Sequence, residues 1–104
     1  MTGDGIVAEV LDRRGRRVVL LRRVWHGKVL TDHPEMAMFR GAVLAAVSDP
    51  SHVEADPVRP DRERCFARGV GISNWLQVVV SYEQDPARIV SAFAKRKDPP
   101  TWRT

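Results

Sequence analysis

Hydrophobic and polar positions alternate in short runs through most of this chain, and the runs are separated by turn-forming residues. Residues 6–11 (IVAEVL) and 17–24 (RVVLLRRV) read as two strands joined by the turn Asp12-Arg13-Arg14-Gly15, an opening hairpin over residues 5–24 in which Gly15 is free to take positive φ. The pattern then changes period. Trp25 to Leu30 fits a helical i,i+4 pair at Trp25 and Val29, but Gly27 weakens a helix there. Asp32-His33-Pro34-Glu35 has the form of a helix start, with Asp32 as N-cap, Pro34 in the first turn and Glu35 as the capping-box acid. The spacing of Met36, Phe39, Val43 and Val47 predicts a helix over about residues 33–48, stopped by Pro50.

Alternation returns after the helix. Residues 52–55 (HVEA), Arg62 to Arg68 (RERCFAR), Trp75 to Glu83 and Arg88 to Lys95 are strand candidates forming a sheet over residues 52–96, and residues 97–104 make an extended or frayed tail. The predicted fold class is therefore α+β, with the helical N-terminal segment packed on one face of a roughly four-stranded antiparallel sheet and the hairpin preceding it. Period-two alternation assigns Val90, Ala92 and Ala94 to the helix side, and Ile89, Ser91, Phe93 and Lys95 to the other side. In the preceding strand Leu76, Val78, Val80 and Tyr82 oppose Trp75, Gln77, Val79 and Ser81.

At 104 residues and 43% hydrophobic, the whole of residues 1–104 is one domain with one core. No apolar run has transmembrane length and Met1 to Gly5 is short and polar, so no membrane association and a cytoplasmic location are expected. Cys65 is the one cysteine, which excludes an internal disulfide and any zinc-finger spacing. A net charge of +4 with a pI of about 10.0 favours polyanionic partners. The basic residues are mostly arginine, the lysines being Lys28, Lys95 and Lys97. Arginine suits bidentate phosphate recognition, though the same bias arises from a G+C-rich genome.

Titratable groups concentrate in WHGKVLTDHPEM, Trp25 to Met36, and a second polar cluster lies in IVSAFAKRK, Ile89 to Lys97. The order of Trp25-His26, HPEM at His33 to Met36, a strand with Arg64, the VVV strand and a final SAF strand with basic residues resembles the barnase, EndoU, colicin and RelE superfamily of small ribonuclease-like domains. The phage-associated members and the BrnT-type toxins are the nearest in pattern, and the resemblance spans roughly Val18 to Arg96. It implies helices packed on a four-stranded antiparallel sheet, and metal-independent RNA cleavage that in some members is countered by an antitoxin or immunity protein. Residue by residue, WHGK matches a Trp-x-His-Ile type motif except that His26 directly follows Trp25 and Gly27 stands at an apolar position. HPEM matches at His33 to Met36, the arginine strand at Arg64, the final-strand hydroxyl at Ser91, and the basic positions at Lys95 and Arg96.

Cleavage by the 2′-OH requires a base, an acid and cations around the phosphorus. Imidazole titrates near neutrality, so His26 and His33 are the acid/base candidates, with Arg64 and Ser91 completing the catalytic set. Lys28, Glu35, Phe93, Lys95 and Arg96 are the substrate-binding candidates. Each has a plainer explanation: His33 as a helix-start residue, His26 as a side chain half buried beside Trp25, Glu35 as a capping acid, and Ser91, Phe93 and Lys95 as a solvated face. Arg64 needs an anion, either phosphate or an internal carboxylate such as Glu35. The histidine spacing matches no compact metal-ligand pattern, and no organic cofactor or metal is called for. Two rivals remain open: a non-catalytic RNA- or protein-binding module on the same fold, and an interaction protein anchored by exposed Trp75 and Trp102.

Overall fold

The computed structural model describes residues 5–70 and 73–103. Strands β1 (Ile6–Leu11) and β2 (Arg17–Leu21) form the opening hairpin, and Gly15 sits in its turn at φ 80°. The chain then runs helically through α1 (Arg22–Val24), a π-helical turn (Trp25–Val29) and α2 (Leu30–Asp32). A 3-10 turn (Pro34–Met38) and α3 (Arg40–Ser48) follow, then β3 (His52–Ala55), β4 (Arg62–Arg68), β5 (Trp75–Ser81) and β6 (Ala87–Lys95).

The sheet corrects the expected fold. It has six strands in the order β1-β2-β6-β5-β4-β3 and is mixed, not a four-stranded antiparallel sheet with a separate hairpin. The hairpin joins through a short parallel pairing of Val18 and Val19 with Ala87 and Arg88. The cause lies in β2 itself: Val18, Val19, Leu20 and Leu21 are all buried, a continuous apolar run that needs cover on both faces and so belongs inside a sheet.

The expected single helix over 33–48 is also divided. Phe39, at φ −116° and ψ 20°, separates the 3-10 turn from α3. The capping box does not form, because Asp32 closes α2 and His33 takes the cap position of the next turn without a side-chain bond. No helix among the described residues is long and apolar enough to cross a membrane.

The core lies between the helices and one face of the sheet. Trp25, Val29 and Met36 from the first helical stretch and Val43, Ala46 and Val47 from α3 pack on Val18, Leu20, Leu76, Val78, Val80, Ile89 and Ala92. Ile89 therefore lies with the core and not beside Ser91. A bulge between Val79 and Val80 leaves Val90 as the extra residue of β6, which shifts the alternation by one: Ser91 opposes Val79 while Ile89 opposes Val80.

Asp12 ties the hairpin turn to the far side of the sheet. Its Oδ1 accepts the amides of Arg14 and Arg16, and its Oδ2 accepts the Tyr82 hydroxyl at 2.7 Å and Arg16 Nε at 2.9 Å. Burial opposes ionisation of this 7% exposed residue, but those hydrogen bonds outweigh it and hold the carboxyl at about 2. A depressed folded-state pKa contributes stability in full above the unfolded value of about 3.9 and loses it as pH falls through the folded value. Asp12→Asn is expected to cost about 2 kcal/mol at pH 7 and to flatten the acid limb of stability against pH, as urea unfolding between pH 2 and 7 would measure.

Candidate functional site

The sheet face opposite the core carries the sequence candidates, and strand register fixes their neighbours. One cross-strand row runs Glu54, Arg64, Val79, Ser91, and the next runs His52, Phe66, Gln77, Phe93. A third row places Arg68, Trp75 and Lys95 together. Arg64 and Ser91 thus share a face on either side of β5, two strand spacings or about 10 Å apart.

β2 pairs with β6 only at Ala87 and Arg88, and the helical stretch takes over along the rest of that edge. Lys28 Nζ donates to the carbonyl of Val90 at 3.0 Å, and the turn after α2 lays the His33 ring on Phe93, with centroids 5.6 Å apart and planes inclined by 26°. Glu35 stands beside it, its Oε2 3.6 Å from His33 Nδ1, and each of these side chains is 40% exposed. One imidazole nitrogen faces a carboxylate while the ring is held against an aromatic plane. Lys95 lies two residues beyond Phe93 and reaches Gln77 Oε1 at 3.4 Å.

His26, Arg64 and Arg96 stand apart from that group. His26 is exposed on the π-helical turn, and among the described residues its side chain makes no hydrogen bond, ion pair or ring contact. Arg64 finds an internal carboxylate, but it is Asp56 at 3.6 Å and not Glu35. The Arg96 side chain is exposed, and its backbone carbonyl accepts Asn74 Nδ2. Burial pushes the Cys65 thiol up to about 12, which leaves it protonated at neutral pH and unsuited to nucleophilic work. No group of three or more His, Cys, Asp or Glu side chains among the described residues is arranged to hold a metal ion.

The tail supplies what the sequence reading missed. Residues 97–103 cross the β3–β4–β5 side of this face. Asp98 accepts Trp75 Nε1 at 2.9 Å, and Trp102 packs edge-on against Trp75 at 4.9 Å and His52 at 5.5 Å. Thr101 donates its amide and hydroxyl to Glu54 Oε2 at 2.6 and 2.8 Å, and its hydroxyl also meets His52 Nε2 at 2.8 Å. Burial works against ionisation of Glu54, yet these bonds and the one from His52 hold its carboxyl below the ordinary carboxylate range. Trp75 is consequently 1% exposed, which removes it as a partner anchor, and Trp102 is spent on covering it. The signal available beforehand was a tryptophan in an otherwise polar, proline-rich tail.

Between the helical turn on the β6 side and the tail on the β4 side, Ser91, Phe93 and Lys95 are half-buried, and the β5 residues beside them, Gln77 and Val79, are buried. Lys28 stands at the β6 side and Arg64 at the β4 side of this stretch. No protein-family model, curated protein or solved structure matches the chain.

Proposed function

We propose that this domain is a metal-independent endoribonuclease, toxin-like or phage-derived, that acts in the cytoplasm on RNA laid along β6 beside the helical turn. The observation that carries the reading is the His33 arrangement: an exposed imidazole stacked on Phe93, with the Glu35 carboxylate facing Nδ1 and Nε2 left for a substrate. A base oriented by a third group is what proton transfer from a 2′-OH needs. Lys95, Arg64 and Lys28 supply the cations for charge growing on the phosphate oxygens, and Ser91 a hydroxyl for hydrogen bonding to it. His26, seven residues before His33 and on the helical stretch that ends just ahead of it, is the candidate acid for the departing 5′-oxygen. Phe93 offers a stacking plane at the rim. A cognate antitoxin or immunity protein is the partner this reading brings with it.

A second reading keeps the same face for RNA or protein binding without chemistry, and the isolation of His26 favours it. Cleavage separates the two. Single-stranded RNA and DNA of the same sequence, incubated with the protein in EDTA, should give cut RNA and intact DNA, because only RNA carries the attacking hydroxyl. Binding of the RNA without cutting, with ribosomes also present, would select the binding module.

A further inference from the structure

We infer that the same sheet face holds a second site, adjoining the first and sharing Lys28 with it: a pocket for a phosphate group, centred on Arg62 and Arg88. It lies where β2 ends and the chain turns into α1, about 16 Å along β6 from Phe93. The bulge in β6 puts Arg88 and Ser91 on one face, and the register Arg62, Ser81, Arg88 then sets two arginines on either side of a small residue. Above Ser81 the cavity measures about 290 Å³ and is bordered by four cationic side chains, Arg23, Lys28, Arg62 and Arg88, against one carboxylate, Glu83.

Two carboxylates near Arg62 are engaged elsewhere. Asp61 accepts the Ser81 hydroxyl at 3.2 Å. Asp56 lies close enough for Arg62 to help lower its pKa, behind the larger effect of the Arg59 and Val58 amides, but its contacts go to those amides and to Arg64. Arg62 Nε is sealed from solvent with no acceptor, and the Arg88 guanidinium makes no hydrogen bond or ion pair among the described residues. Lys28 gives one of its three protons to Val90 and keeps two.

Two guanidinium forks and an ammonium around one small space match an anion with several acceptor oxygens, which is the geometry of phosphate. Pockets for whole drug-sized ligands run to roughly 300–1,000 Å³, so this one accepts the phosphate and leaves the remainder of its carrier outside. The carrier is either a phosphomonoester or one link of a nucleic-acid backbone.

The test is a titration followed by amide proton–nitrogen NMR, using inorganic phosphate, uridine 5′-monophosphate and a single-stranded DNA tetramer without terminal phosphates, each against sodium chloride at matched ionic strength. Saturable shifts of the Arg62, Ser81 and Arg88 amides are expected with phosphate and not with chloride. Tighter binding of the monophosphate than of the tetramer assigns a phosphomonoester, and the reverse order assigns a backbone phosphate. Arg88→Gln, at a half-exposed position, should weaken the preferred probe about tenfold, and Arg62→Lys should weaken it less because charge is kept while the fork is lost. No saturable shift at those amides with any probe would overturn the site, as would wild-type affinity in a folded Arg88→Gln. Since inorganic phosphate is among the probes, the result is independent of whether the protein cuts RNA.

Discussion

His33→Ala is expected to slow RNA cleavage about a hundredfold or more, with little change in affinity for the same RNA blocked by 2′-O-methyl groups. On the proposed mechanism the imidazole takes part in proton transfer in the transition state, so its removal should fall on kcat. Binding would keep Lys28, Arg64 and Lys95, the cations proposed to attract phosphate in the ground state. Glu35→Gln should produce a smaller loss, because the carboxylate 3.6 Å from Nδ1 orients the ring and does not meet the substrate. His26→Ala separates the roles: a comparable loss makes it the acid, and an unchanged rate assigns that proton to another donor. An unchanged rate in His33→Ala would remove the histidine on which the catalytic reading depends.

Trp75→Ala should cost about 3–5 kcal/mol of stability, the largest thermodynamic effect predicted for the chain. The indole is 1% exposed and stands edge-on to Phe66 at 6.0 Å and to Trp102 at 4.9 Å, and its Nε1 donates to Asp98. Truncation leaves a cavity under the tail and strips Trp102 of its main contact, so the segment through Thr101 should detach with it. Urea unfolding measures the loss, and hydrogen exchange at the Thr101 amide reports the detachment. A cost under about 1 kcal/mol would mean that the tail is not held by this ring cluster.

The strands of highest apolar content were the most legible. The two sides of Trp75 to Ser81 follow from period-two alternation, although the strand is buried throughout: the helices cover Leu76, Val78 and Val80, and the tail covers Trp75 on the other side. Ile89 was misplaced for the same reason, since an inserted residue at a bulge reverses the parity and leaves no mark in the residue pattern. Val18 to Leu21 did carry the signal for an interior strand, an unbroken apolar run, but a turn at Gly15 drew the reading toward a hairpin standing alone. The capping box at Asp32 to Glu35 does not form because α2 ends at Asp32 and the chain breaks at His33, whose ring stacks on Phe93 while Glu35 faces it.

The candidate site was legible in part. Ser91, Phe93 and Lys95 followed from strand parity, and His33 joined them through a stacking contact that no local spacing encodes. The internal acid beside Arg64 was anticipated in kind but not in identity, because Asp56 lies in a loop whose return path depends on β3 and β4 pairing. The Glu54, His52 and Thr101 cluster spans the sheet and the tail, with Glu54 and Thr101 47 positions apart, so it appears only once the chain is folded.

The most direct test of the central claim uses a DNA oligonucleotide carrying a single ribonucleotide, incubated with the wild-type protein in EDTA and analysed by mass spectrometry. One cut is expected, on the 3′ side of that ribonucleotide, leaving a 2′,3′-cyclic phosphate on one fragment and a 5′-hydroxyl on the other. An uncut oligonucleotide under conditions where all-RNA of the same sequence is cleaved, or a product ending in a 3′-hydroxyl, would contradict it.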